Sequence, residues 1–311
     1  MKRVLLLALA FGFAMSARAE VIKIASGSML SGPQSSLGEM IKLGAQLAVD
    51  EARDRFKEKG FDLQFLPQDD QAQPDVGVAV AQRLVNDPDV LAIVGHFNSG
   101  VTIPTSEIYK DHDLALVSPG STDVRVTERG LANVSRVCGR DDVQGPVGAE
   151  FAVNDLKAKR ILVLHDKTPY GQGVAQAFRE RAQALGAKIV GFIGTEEKTN
   201  FQSLILQMRV LNPDLVYFGG IYDQAGVLLK QMRERQVKAL FLGADGLESS
   251  AFVDIAQNAV VGAYYTTVAG PAEAYPAARS FAEAFQAKFG RAPEAYALYA
   301  YDAARAEDPR V

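Results

Sequence analysis

One cysteine, Cys138, and three scattered histidines, His96, His112 and His165, are all the thiol and imidazole chemistry in this 311-residue sequence. A single thiol excludes an intramolecular disulfide, and the histidines show no metal-ligating spacing. Long apolar runs are missing too. The longest, Val4–Met15, has twelve residues, against the roughly 20 that span a bilayer. Lys2 and Arg3 precede that run, and Ala17-Arg18-Ala19 follows it with small residues at the two positions a signal peptidase reads. Residues 1–19 therefore read as a secretory signal peptide cleaved after Ala19.

Clustered positive charge is also lacking. The chain carries 33 Lys and Arg against 37 Asp and Glu; without Lys2, Arg3 and Arg18 of the leader the balance is 30 to 37, a net −7. An acidic chain without a basic run excludes nucleic acid as an expected partner, because neutralising phosphates takes clustered cations. What is present is 48% apolar and 23% charged residues, the composition of a globular chain of about two domain lengths.

Short β-branched runs alternate with longer amphipathic segments. Strands are expected at Val21–Ala25, Phe61–Leu66, Val90–Val94, Leu114–Ser118, Ile161–His165, Lys188–Ile193, Leu215–Phe218, Ala239–Leu242 and Val260–Val268. Helical patterns lie between them, from Leu37–Lys59, stopped by Gly60, to Tyr275–Phe289 and from Pro293 onward. Near-continuous apolar strands separated by helices imply parallel sheets covered on both faces. The expected class is α/β with two Rossmann-like lobes. One comprises residues 20–140 plus 268–311, the other residues 141–267, with short connections between them.

In open parallel sheets ligands gather beyond the carboxyl ends of the strands. Those positions hold Gly95-His96-Phe97-Asn98-Ser99-Gly100, Pro119-Gly120-Ser121-Thr122, Asp166 to Gly171 with Tyr170, Gly219 to Asp223, and Gly243-Ala244-Asp245-Gly246. The first lobe thus offers hydroxyls beside helix N-termini, which favour an anion. The second offers aromatics and one carboxylate between glycines. A ligand with both a carboxylate and an ammonium would find both partners, although Ser99 and Thr122 alone read equally as helix caps and Asp245 as a turn residue.

Enzyme motifs fail on inspection. Gly171-Gln172-Gly173 begins a dinucleotide fingerprint, but Gln176 takes the third glycine position; Gly27 to Gly32 has phosphate-loop spacing but is followed by Pro33 and Gln34. No Gly-x-Ser-x-Gly elbow occurs. His96 lacks a nearby nucleophile motif or carboxylate partner in sequence and reads as a structural histidine. No catalytic residue, cofactor or metal is expected.

Met29-Leu30-Ser31-Gly32-Pro33, Gly95-His96, Ser118-Pro119-Gly120-Ser121-Thr122, His165-Asp166-Lys167 with Tyr170-Gly171, and Phe241 to Gly246 stand in an order that resembles the periplasmic branched-chain amino-acid-binding proteins. These are the leucine/isoleucine/valine type of solute receptor for ABC importers. The resemblance runs from about Val21 to Asp302. It implies a type I periplasmic binding fold, two lobes joined by three crossovers, closing on an amino acid. It also implies a periplasmic monomer that delivers its ligand to a membrane permease complex. By the same resemblance Ser99 and Thr122 hold the ligand carboxylate, Gly120 offers its carbonyl to the ammonium and Ser121 lines that loop. Asp245 pairs with the ammonium, Tyr170 lies over the ligand, and Ile221, Tyr222 and Tyr296 bound its side chain.

Several residues depart from the pattern. Leu37 and Ile221 stand where pocket tyrosines are usual, with Tyr222 shifted by one, and Asp245 replaces a glutamate. Ala72 and Asn98 occupy the positions of a disulfide pair found in some members. The sequence also stops at Val311, partway along a helix begun near Tyr296, so a reading frame cut short is expected. Receptors for amides, urea-like compounds or aromatic acids are the alternatives within binding proteins. A secreted α/β enzyme centred on His96 or Tyr170 is the alternative outside them.

Overall fold

The computed structural model describes residues 19–306 apart from 269 and 271; the expected signal peptide, all but its last residue, lies outside the described residues. The first lobe runs β1 (Glu20–Ser28), α1 (Ser35–Glu58), β2 (Phe61–Asp69), α2 (Pro74–Val85), β3 (Val90–Gly95), α3 (Ser99–Lys110), β4 (Ala115–Ser118), α4 (Arg125–Glu128) and β5 (Val134–Arg136). The second begins with α5 (Asp141–Glu150), which continues through a π-helical turn at Phe151–Asp155. It proceeds through β6 (Arg160–His165), α6 (Pro169–Ala184), β7 (Lys188–Gly194), α7 (Gln202–Leu211), β8 (Leu215–Gly219), α8 (Tyr222–Glu234), β9 (Leu240–Gly243), α9 (Ser250–Ala256) and β10 (Ala263–Tyr265). Helices α10 (Arg279–Phe289) and α11 (Ala295–Ala306) follow.

Each lobe is built on a five-stranded sheet, in the order β2-β1-β3-β4-β5 and β10-β9-β8-β6-β7, and every pair is parallel. The central strands β6 and β8 are apolar on both faces because helices cover both: Ile161 to Leu164 and Leu215 to Phe218 are entirely buried. Strand order reverses at β1/β3 in one sheet and at β6/β8 in the other. Crossovers leave opposite faces there, and a crevice opens at the strands' carboxyl ends.

Helix ends follow local chemistry. Pro74 and Pro169 open α2 and α6, where a missing N–H costs nothing. Gly60 follows α1 in the left-handed region, with φ +88°. The expected strand Val260–Val268 is shorter than its apolar run. Residues Gln257–Val260 form a 3-10 turn, Gly262 has φ +80°, and only Ala263–Tyr265 pair with β9. Strand β5 and helix α4, three and four residues long, are additions to the expected series.

The chain passes between the sheets after β5 and again after β10. Helix α5 packs on α6, whereas α11 returns to α1 and lies near β3 and β4 of the first sheet. Buried Phe97 and Tyr296 on the first-lobe side join Tyr170 and Ile221 in one continuous apolar cluster. The lobes therefore stand closed on each other.

Candidate functional site

A small cavity lies between the lobes, lined by Phe97, Asn98, Ser99, Gly120, Tyr170, Ile221 and Asp245. Every one of these residues follows the carboxyl end of β3, β4, β6, β8 or β9, or begins the next helix. Folding of the parallel sheets alone brings five sequence-distant loops to one point.

The first-lobe wall is held rigidly. The carbonyl of His96 accepts from the hydroxyls of Thr102 (3.1 Å), Ser118 (2.7 Å) and Ser121 (2.9 Å). Its ring is fully buried, with Nδ1 2.7 Å from Asp70 Oδ2 and Nε2 3.1 Å from Tyr109 Oη. That imidazole fixes the β3–α3 loop and does not line the cavity. Helix α3 starts at Ser99, so the positive end of its dipole lies at the wall. Ser99 Oγ accepts from the Asp123 N–H at 3.2 Å.

The second-lobe wall presents Asp245, 1% exposed. Tyr170 Oη donates to its Oδ1 and Tyr296 Oη to its Oδ2, both at 2.6 Å, and Tyr170 Oη accepts from the Gly246 N–H at 2.9 Å. Among the described residues no ion pair involves Asp245. Burial therefore raises its carboxyl above the usual range, while the two tyrosine hydroxyls pull it back. The tyrosines in turn are pushed well above 10 by burial and by Asp245, so they remain donors.

A second acid stands nearby. Asp141, the first residue of α5, is buried, and neither carboxylate oxygen has a hydrogen-bond partner. Burial, reinforced by Asp245, raises its carboxyl well above the ordinary range, against the neighbouring Thr122 hydroxyl. Thr122 Oγ1, Gln144 Oε1 and Tyr217 Oη are likewise buried and unpartnered. Among the described residues Asp245 makes no ion pair, whereas Arg136, with a buried and unpartnered Nε, is the cation that acts on Asp141; the carboxylate at the cavity is the electrostatic complement of a ligand that brings a positive charge.

Ser99, Gly120, Tyr170, Ile221 and Asp245 meet in the cavity wall, and Tyr296 closes on it through Asp245. Thr122 is buried beside Asp141, with its backbone carbonyl 3.0 Å from the Asp141 N–H. The other two expected residues are placed differently. Ser121 Oγ is occupied by the carbonyls of His96 and Phe97, both at 2.9 Å, and by Thr102 Oγ1 at 2.6 Å. Tyr222 Oη reaches across the lobes to the Pro33 carbonyl at 2.8 Å. Phe97, Asn98, Asp141 and Gln144 carried no sequence motif of their own; the first two lie on a loop already marked by its place after β3. Cys138 is buried, which pushes its thiol up to about 12 and keeps it protonated at neutral pH.

With this geometry in place, similarity to known proteins becomes informative. Residues 21–306 match the family described as periplasmic binding protein. The chain belongs to that family. Leu/Ile/Val-binding protein homolog 1 of Brucella abortus is 37% identical over 298 residues, covering 96% of this chain and 79% of the relative. Among solved structures, the leucine-binding protein LivK from Thermotoga maritima superposes with a TM-score of 0.84 at 29% identity, covering 91% of this chain and 80% of that one. LivJ from Streptococcus pneumoniae, a branched-chain amino acid transporter substrate-binding protein in complex with isoleucine, gives 0.82 at 26%, covering 92% and 82%. The two-lobed α/β architecture with parallel five-stranded sheets is the type I periplasmic binding fold of these neighbours.

Proposed function

We propose that the protein is a periplasmic receptor that captures an α-amino acid with an aliphatic side chain between its lobes and delivers it to an ABC importer without altering it. The observation that carries this reading is Asp245: a buried carboxylate in the cavity wall, in no ion pair among the described residues, opposite Ser99 at the start of α3. An α-amino acid supplies the missing ammonium to Asp245 and the Gly120 carbonyl. Its carboxylate goes to the Ser99 and Thr122 hydroxyls and the helix end. Phe97 and Ile221 give its side chain an apolar wall, which stabilises each buried methylene by roughly 0.8 kcal/mol and leaves a charged side chain unpaired.

The relatives support the same class, being named for leucine, isoleucine and valine. Calorimetric titration against an amino-acid panel, with the ligand recovered and weighed by mass spectrometry, tests the reading. Leucine, isoleucine or valine should bind stoichiometrically and return unchanged, and glutamate and lysine should bind far more weakly. Consumption of a ligand would make the protein an enzyme, and preference for a charged side chain would overturn the site assignment.

A further inference from the structure

Beside the ligand cavity the lobes meet at a second place, where acids approach from both sides. Glu248 follows the 3-10 turn Asp245–Leu247, and its N–H donates to the Asp245 carbonyl at 2.9 Å. The next two residues make contacts across the seam. Ser249 Oγ lies 3.1 Å from Ser36 Oγ of α1, and Ser250 Oγ donates to Glu294 Oε1 at 2.9 Å. Glu294 leads into α11, which packs on α1 of the first lobe. Glu248 and Glu294 thus line one crevice from opposite lobes, with Leu247, Phe252, Tyr265 and Pro293.

The groups that face the Glu248 carboxyl include no cation. They are Asp245 on its own turn, Glu294 at α11, the hydroxyls of Tyr265 on β10 and of Tyr296 and Tyr299 on α11, and Thr267 after β10, whose hydroxyl donates to Oε2. Arg291 pairs instead with Glu294, at 3.4 Å. Burial, reinforced by Asp245 and Glu294, pushes the Glu248 carboxyl up to about 7, against the pull of Thr267. Parting the lobes takes Glu294 away and admits water, which returns the carboxyl toward its ordinary 4.5.

We propose that Glu248 is a proton-sensitive latch on lobe closure, neutral in the closed form, so that its ionisation as pH rises toward neutrality loosens the grip on the amino acid. The inference rests on the amino-acid reading above and adds a regulation to it. The sign follows from linkage. Closure takes up a proton, so the penalty is absent below about 4.5, grows as pH rises toward about 7 and levels off above it. A bound ammonium offsets Asp245 but neither the burial nor Glu294, so the latch acts in the complex too.

The test is calorimetric titration from pH 5 to pH 8 with whichever of leucine, isoleucine and valine binds most tightly. It compares the wild type with Glu248→Gln, which keeps an acceptor for Thr267 and cannot ionise. The other acids and the histidines are common to both proteins, so the ratio of dissociation constants isolates Glu248. The two should bind alike at pH 5, and the wild type should be about fivefold or more weaker than the variant at pH 7 and above. Near pH 6, titrations in two buffers of different ionisation enthalpy should show the wild type taking up more protons on binding than the variant. Glu294→Gln, which removes the facing charge, is measured in parallel in case Glu248→Gln does not fold, and it should shrink the pH dependence. Binding with a ratio that changes by less than fivefold, or in the opposite sense, overturns the latch alone. A wild type that binds none of the three amino acids overturns the receptor reading and this inference with it.

Discussion

Asp245 and Asp141 are two buried acids with different surroundings, and their variants should separate. Asp245 accepts from two tyrosines and faces the cavity. Asp245→Asn removes the charge at nearly constant shape, and losing one partner of a buried charge pair typically costs roughly 2–5 kcal/mol of binding. Titration calorimetry should show at least tenfold weaker amino-acid binding with no loss in melting temperature. An unchanged affinity would put the ammonium elsewhere. Asp141 has no partner on either oxygen, and its carboxyl is raised, so the folded state keeps a proton that the unfolded chain releases near the ordinary 3.8. That cost is absent below this value and grows as pH rises toward the folded value. Asp141→Asn should therefore stabilise the ligand-free protein, by about 1–3 kcal/mol near neutrality, and by much less at pH 3.5. Equal gains in urea midpoint at both pH values would show that Asp141 is not holding a proton. The strand-end rule marks Ser99, Gly120, Tyr170, Ile221 and Asp245 from sequence alone. It cannot mark Asp141 or Gln144, which the crossover into α5 delivers. Nor can it tell that Ser121 turns into the loop while Gly120 faces the cavity, because side-chain direction in a loop leaves no periodic trace.

At the scale of elements, eight of the nine expected strands stand close to their apolar runs, because a strand covered on both faces must be apolar throughout. Strand β5 and helix α4 are too short to establish a period, and Val260–Val268 is apolar without pairing along its length. The close approach of helices is likewise invisible in a pattern of apolar residues. A Cβ on Gly44 of α1 would lie 2.0 Å from the Ala297 carbonyl of α11, and one on Gly60 would meet nothing within 4 Å. Gly44→Ala must push the two helices apart, with an overpacking cost of about 1–3 kcal/mol or more, and Tyr296 of the site sits beside Ala297 on the displaced helix. Gly60→Ala meets only its φ of +88°, a penalty of roughly 1–2 kcal/mol. Urea unfolding should show both variants destabilised, with ligand affinity lowered only in Gly44→Ala. Equal affinities would mean that α11 shifts without carrying Tyr296.

For the whole molecule, the decisive fact is that most of the cavity wall is buried between the lobes. Phe97, Ser99, Tyr170, Ile221 and Asp245 are each at most 7% exposed, so no ligand enters unless the lobes part. Groups that hold the lobes together then contribute to affinity without touching the ligand, because a ligand bound by the closed form is weakened by whatever lowers its population. The closing contacts include the Tyr296–Asp245 hydrogen bond, Ser36 Oγ with Ser249 Oγ at 3.1 Å, and Tyr222 Oη donating to the Pro33 carbonyl at 2.8 Å. Tyr222 is the cleanest probe, since its ring is buried and its hydroxyl lies outside the cavity wall. Tyr222→Phe leaves the packing in place and deletes one hydrogen bond, worth about 0.5–1.5 kcal/mol net, which corresponds to a two- to tenfold weaker dissociation constant. The change should fall mainly on the dissociation rate, because the broken contact forms only once the lobes have met. Stopped-flow fluorescence with a bound amino acid would measure it, and small-angle scattering should show the ligand-free variant more expanded than the wild type. Unchanged dissociation and unchanged scattering would mean that the Tyr222 contact persists in both states and plays no part in closure.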